Sequence, residues 1–233
     1  MQKLLVLLAL CFLFSCGNTT DKLILKGNIK GLKKGTVYLK RAQDTLLVTV
    51  DSLVINGNSN FELQTDITEP QLYYLYLNKD DDNDNRISFF GAEGITEINS
   101  TLKQFVYSAK IKGSKQQEVL EDYLKMKSKF TNKNLELVKE SLEALKANDT
   151  VLTNKAEKNY KNLERRKYLY TVNFALNNKD SEVAPYLALT ELYNANIKLL
   201  DTINNSLTPK IKTSIYGKDL QRFIDKIKKK ENK

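Results

Sequence analysis

The sequence predicts an α+β protein in which an N-terminal antiparallel β-sandwich or partial barrel is followed by a C-terminal α-helical bundle. Three observations carry this. Residues 23–112 divide into short runs rich in Val, Ile, Leu, Tyr and Thr, punctuated by Gly, Asn and Pro, with no helical pattern between them. At Gly113 the hydrophobic period changes from two to nearly 3.6. Charge follows the same division: residues 17–113 carry 12 cations and 12 anions, whereas residues 114–233 carry 24 and 16. The expected segments are 1–15 as a signal peptide, 16–22 as a short tether, 23–113 as the sandwich and 114–233 as the helical domain.

The chain opens with a cationic start, Met1-Gln2-Lys3, and an apolar run from Leu4 to Phe14, which together read as a secretory signal peptide. The run is shorter than the roughly 20 apolar residues of a permanent membrane span, and polar Gly17-Asn18-Thr19-Thr20 follows at once. Leu13-Phe14-Ser15-Cys16 resembles the lipobox of bacterial lipoproteins, which implies that Cys16 receives a diacylglyceryl thioether and becomes the new N-terminus. Several acyl chains hold a protein to a membrane stably where one is marginal. Gly17, with no acidic run behind it, adds by resemblance an outer-membrane address on the periplasmic face.

Leu23 to Ile29 is the first strand, and Gly31 to Gly35 turns the chain into Thr36-Val37-Tyr38-Leu39-Lys40. A third strand spans Leu46 to Ile55, and Asn56-Gly57-Asn58-Ser59 signals a hairpin into Asn60-Phe61-Glu62-Leu63. Leu72 to Leu77 is apolar on both faces and so reads as a central strand. Arg86 to Phe90, Ile95 to Ile98 and Val106 to Ile111 complete the set.

Ser114 with Gln117 three residues on is a capping-box start for the first helix. Val119, Tyr123, Met126 and Phe130 share one face, and after a break at Thr131-Asn132 an apolar stripe continues through Leu135, Val138, Leu142 and Leu145. Leu120 and Leu124 widen that face enough to meet both the other helices and the sandwich. Further helices are expected over about 154–176, from a Ser181 cap with Pro185 in its first turn, near 196–204 and over about 215–229.

Composition excludes several chemistries. Cys11 leaves with the signal and Cys16 is blocked by lipid, so the mature chain has no thiol for a disulfide or a redox pair; there is no His at all. Zinc sites of the usual kind and Ser-His or Cys-His nucleophiles are therefore not expected, nor is any cofactor. The excess positive charge of residues 114–233 is interleaved with Glu and Asp as on a solvated helix face, and nucleic acid is not an expected partner. Asp80, Asp82 and Asp84 alternate as calcium ligands do, but the loop pattern then fails, with Asn85 where Gly is required and Gly91 where Glu is required. A charged turn is the simpler reading of that run. Tyr73, Tyr74 and Tyr76 read first as packing and second as a ligand-binding face. Asp51-Ser52 shows no base to activate the hydroxyl, and Lys228-Lys229-Lys230 is a solvated end before it is a lipid contact.

An ordered series of short matches resembles the domain of unknown function that opens many thiol:disulfide-interchange envelope lipoproteins of Gram-negative bacteria. Its carriers are Gly27-x-Ile29-x-Gly31, Gly35-Thr36-Val37-Tyr38-Leu39, Asp51-Ser52-Leu53-Val54 with Asn60-Phe61-Glu62, and Glu69-Pro70-x-Leu72-Tyr73. The series continues through Phe89-Phe90, Gly94-Ile95-Thr96, Ile111-Lys112-Gly113-Ser114, Ser181-Glu182-Val183-Ala184, Leu207-Thr208-Pro209 and Ser214-x-Tyr216-Gly217. The resemblance implies a β-sandwich joined to helices, usually followed by a thioredoxin-like domain with a reactive Cys pair. This sequence stops at Lys233, about where that domain would begin, so no redox role is carried over to any residue. The expected function is a lipid-anchored, non-enzymatic binding or scaffolding module of the envelope. The alternative is an accessory that docks a separate thioredoxin-like oxidoreductase. Hydrolysis by Asp or Glu with water is a third class, without a visible nucleophile and base. The direct junction at Gly113-Ser114 leaves no residues for a hinge, so the two halves are expected to pack together, with a partner or ligand at their cleft.

Overall fold

A computed structural model describes residues 21–43, 46–78 and 85–231. The N-terminal half is built from β1 (Lys22–Lys30), β2 (Lys34–Gln43), β3 (Leu46–Asn56), β4 (Asn60–Asp66), β5 (Gln71–Tyr76), β6 (Arg86–Gly91), β7 (Gly94–Thr101) and β8 (Lys110–Lys112). They form two four-stranded sheets of order β4-β1-β7-β8 and β3-β2-β5-β6. Period-two patterning turns Leu23, Leu25 and Ile29 of β1 into the interior, where they meet Val37, Leu39 and Phe89 of the other sheet. Apolar on both faces, β5 lies between β2 and β6 as the sequence predicts.

The predicted sandwich departs from its sequence reading in three places. One pair, β1 with β7, is parallel, Leu23 lying opposite Gly94; the remaining pairs among the described residues are antiparallel. The Asn56-Gly57-Asn58-Ser59 turn does not close a hairpin ladder. It carries the chain from β3 in one sheet to β4 in the other, with Gly57 at φ 88° donating its N–H to Lys33 O at 2.7 Å. Turn chemistry specifies a reversal, but the sheet that receives the returning strand is decided by where Phe61 and Leu63 find a core. Val106 to Ala109 do not extend β8, because the Ser108 hydroxyl accepts the Thr101 N–H at 3.1 Å and donates to Gln104 O at 2.9 Å, folding this segment into turns.

The helical half comprises α1 (Lys115–Lys146), α2 (Thr150–Asn177), α3 (Val183–Glu191), α4 (Ile197–Ser206), α5 (Pro209–Lys212) and α6 (Ile215–Glu231). Val172, Ala175, Leu200, Ile203, Leu220 and Ile224 form the centre of its core. Asp149 starts α2 four residues ahead of the predicted position by accepting the Leu152 N–H at 2.9 Å. Ser181 accepts the Val183 N–H at 3.3 Å, and Pro185 sits in the first turn of α3. There is no break at Thr131-Asn132: α1 runs through 32 residues, and Thr131 returns its hydroxyl to Lys127 O at 3.2 Å without interrupting the ladder.

The predicted stripe of Leu135, Val138, Leu142 and Leu145 shares one face but covers no core; the four are 62%, 44%, 54% and 55% exposed. On the proximal half of α1 the corresponding flank packs on α3, where Leu120 meets Val183 and Leu187 and Lys127 Nζ reaches Glu191 at 2.6 Å. Glu191 is the last residue of α3. Past it, the buried side chains of α1 are Leu137 and Ala144, lying beside Leu163 and Ala156 of α2. The distal halves of α1 and α2 thus form a two-helix arm. No helix among the described residues is long and apolar enough to cross a membrane.

Candidate functional site

The two halves meet at the outer edge of β6, where an unpaired strand would leave backbone groups without partners. The first turn of α1 supplies them. Ser114 Oγ accepts the Gln117 N–H at 3.1 Å and donates to Phe90 O at 2.7 Å. Gln117 does not complete the predicted capping box; its Oε1 accepts the Phe90 N–H at 2.8 Å and its Nε2 donates to Glu121 at 2.9 Å. The pair that starts the helix therefore also seals the sheet edge.

Aromatic rings fill the joint beside these bonds. The Phe90 ring stands edge-on to Tyr186 at 5.4 Å between centroids and to Tyr216 at 5.8 Å, and Tyr186 and Tyr216 are 5.5 Å apart. Edge-to-face pairs of this kind add roughly 0.5–1.5 kcal/mol each beyond the area they bury. The Tyr216 hydroxyl accepts the Leu72 N–H at 3.0 Å, and the Arg86 guanidinium lies 4.0 Å over the Tyr74 ring. Burial, reinforced by neighbouring Tyr74 and Glu191, pushes the Tyr186 phenol up to about 12. Burial also raises Tyr216, against the lowering effect of the Leu72 N–H. Tyr73 and Tyr76 are buried in the fold, so packing is their role; Tyr74 is half-buried under Arg86.

Next to this joint lies a cleft of about 450 Å³ whose polar lining includes Asp21, Glu69, Glu93, Glu182, Lys210 and Ser214. Each half contributes to it. Glu69 caps α6 by accepting the Ile215 N–H at 2.8 Å, and the buried Glu182 accepts from Gln116 Nε2 at 2.8 Å. With several carboxylates and one lysine, the cleft favours a cationic or hydrogen-bond-donating group over an anion. No group of three or more Cys, Asp or Glu among the described residues is arranged to hold a metal ion.

Asp51 has a structural place: its carboxylate accepts the Ser52 N–H and the Gln64 N–H of β4, both at 2.7 Å, tying the two sheets together. Lys228 of the terminal basic run pairs with Asp201 at 2.8 Å. Cys16 and the calcium candidates Asp80, Asp82 and Asp84 lie outside the described residues. The sequence points to a cleft at the junction but does not single out Glu69 and Glu182 as lining it, nor Tyr186 and Tyr216 as filling the joint beside it. Glu69, Glu182 and Tyr216 stand in the short motifs of the family resemblance, so the signal was present without its meaning.

Fold and site together define a β-sandwich locked edge-on to a helical domain, with a cleft at the joint. Residues 23–120 match the family described as Domain of unknown function (DUF4369), which covers the sandwich and ends inside α1, seven residues past Gly113. The match thus includes Ser114 and Gln117, the residues that seal β6. No curated protein and no solved structure matches the chain.

Proposed function

We propose that this is a lipid-anchored protein of the bacterial envelope that works as a non-catalytic binding or scaffolding module, held through Cys16 to the periplasmic face of the outer membrane. The observation that carries the reading is the sealed joint. Phe90, Gln117 and Tyr216 fix one half against the other, so the cleft beside them has a shape set by both halves. Preformed clefts at such junctions are where partners and ligands dock. Asp21 in the cleft wall is five residue steps from Cys16, a reach of at most roughly 18 Å. A lipid on Cys16 would therefore keep the cleft close to the bilayer.

Photo-crosslinking from position 213, on the cleft wall, tests the reading in intact envelopes. Recovery of a defined envelope protein that is lost on Glu69→Lys substitution supports it; crosslinks unchanged by that substitution sink it. A second reading, an accessory that docks a separate thioredoxin-like oxidoreductase, follows from the ordered motifs of the resemblance. Recovery of a Cys-x-x-Cys protein at the cleft would select it. For the anchor, Cys16→Ala is expected to give unprocessed or soluble protein in detergent partitioning, and a variant still membrane-bound after signal cleavage counts against acylation. The weaker calcium reading of Asp80, Asp82 and Asp84 requires a higher melting midpoint with excess Ca²⁺ than with chelator. An unchanged midpoint removes it.

A further inference from the structure

The two-helix arm carries a groove distinct from the cleft at the joint. Between α1 and α2 runs a groove of about 830 Å³ with Leu137, Leu163 and Leu169 on its floor. Toward the arm's tip it leads into a cleft of about 300 Å³ lined by Ala144, Leu152 and Ala156, the two sharing Glu140 and Lys155. Leu137 with Ala144, and Ala156 with Leu163, are each seven residues apart, the interval at which a helix surface repeats toward a packed neighbour. From Lys155 to Leu169 the wall spans 14 residue steps, about 21 Å at the helical rise, or some four turns. Leu137 and Leu163 at the bottom are 5% and 6% exposed, so the apolar surface on offer is Leu169, 46% exposed, and, in the adjoining cleft, Leu152, 50% exposed. A groove of this length and lining has the dimensions of a helix.

Charge says which helix. The rim at the wide end carries Lys133, Lys155, Arg165 and Arg166. Lys133 is paired with Glu136 at 2.7 Å, while Lys155, Arg165 and Arg166 have no ion pair or side-chain hydrogen bond among the described residues. Glu140 is the one acidic group on that rim. An anionic lipid surface is flat and offers nothing to a groove floor of leucines, whereas an amphipathic helix supplies both an apolar stripe and flanking carboxylates. We propose that the arm docks an amphipathic helix with acidic flanks from a partner protein, which lays its apolar face along the groove on Leu169 and Leu152, over the buried Leu137–Leu163 seam, and its carboxylates against Lys155, Arg165 and Arg166. Arg suits this role through its fork of donors, which pairs two-pronged with carboxylates.

The test uses the purified protein in mild detergent and two synthetic helical peptides of about four turns, identical in their Leu stripe and differing in flanks of Glu or of Lys. Fluorescence anisotropy is expected to show binding of the Glu peptide alone. Arg165→Glu with Arg166→Glu should weaken it at least tenfold, and Glu140→Lys should strengthen it. Circular dichroism and the melting midpoint of each variant establish that it is folded, and Glu140→Lys supplies a gain that misfolding does not mimic. Equal binding of both peptides, or affinity indifferent to the charge reversals, overturns the proposal. So does displacement of the peptide by phosphatidylglycerol in mixed micelles, which would make the groove a lipid site, or self-association through the arm that excludes the peptide. These outcomes are read at the arm, so loss of crosslinking at position 213 does not decide them.

Discussion

Gln117 shows how a single residue does work in two elements at once. It is 3% exposed, stands in the first turn of α1, and gives its oxygen to the Phe90 N–H of β6. Removing a buried hydrogen-bond acceptor leaves the donor with its full desolvation cost, about 1–3 kcal/mol. Gln117→Ala is therefore expected to lower stability by that amount in denaturant unfolding, although Ala is the better helix former. An exposed first-turn Gln would show a change near zero or a gain, which is the result that would refute its sealing role. Ser114 and Gln117 were legible in the sequence as a helix start, because the capping pattern is local. The true partner of Gln117 was not, since it belongs to a strand 27 residues away that only the tertiary fold brings near. The same holds for Tyr216, whose hydroxyl meets Leu72 across 144 residues.

At the scale of elements, periodicity reports which residues share a face and is silent on what covers it. The run Leu135, Val138, Leu142, Leu145 is a true helical stripe, yet α3 ends at Glu191 and leaves it in solvent, while Leu137 and Ala144 on the neighbouring flank meet α2. This contrast is testable. Leu137→Ala creates a cavity and is expected to cost about 2–5 kcal/mol, whereas Leu142→Ala on the exposed stripe should stay within about 0.5 kcal/mol. Comparable losses at both positions would mean that the stripe is covered after all. The strands tell a similar story: their existence and alternation followed from the sequence, but the parallel pairing of β1 with β7 did not. That pairing depends on the return of a strand more than sixty residues later to a slot beside β1, which no local pattern encodes.

For the molecule as a whole, the joint is expected to make two halves of different composition unfold as one cooperative unit, and its buried tyrosines to make that unit sensitive to alkali. The ordinary phenol value is 10.0; in the folded protein Tyr186 is pushed up to about 12, with burial the main cause, and Tyr123 and Tyr216 are raised for the same reason. A group whose folded value lies above its unfolded value holds its proton more tightly in the native state. Its contribution to stability is then complete below pH 10 and falls as pH rises toward 12, because the unfolded chain loses the proton first. Tyr186 and Tyr216 both contact Phe90 of the sandwich while standing on α3 and α6, so ionising them strains the helices and the sheet edge together. The expected outcome is stability that is flat up to about pH 10 and declines over the next two units. The part of the tyrosinate absorbance that belongs to the buried phenols Tyr123, Tyr186 and Tyr216 should rise in a step that coincides with loss of far-ultraviolet dichroism. Thermal scans below pH 10 should likewise show a single transition, and Tyr186→Phe should make the alkaline decline shallower. Two separated transitions, or tyrosines that all titrate near 10 while the fold persists, would show that the joint does not couple the halves.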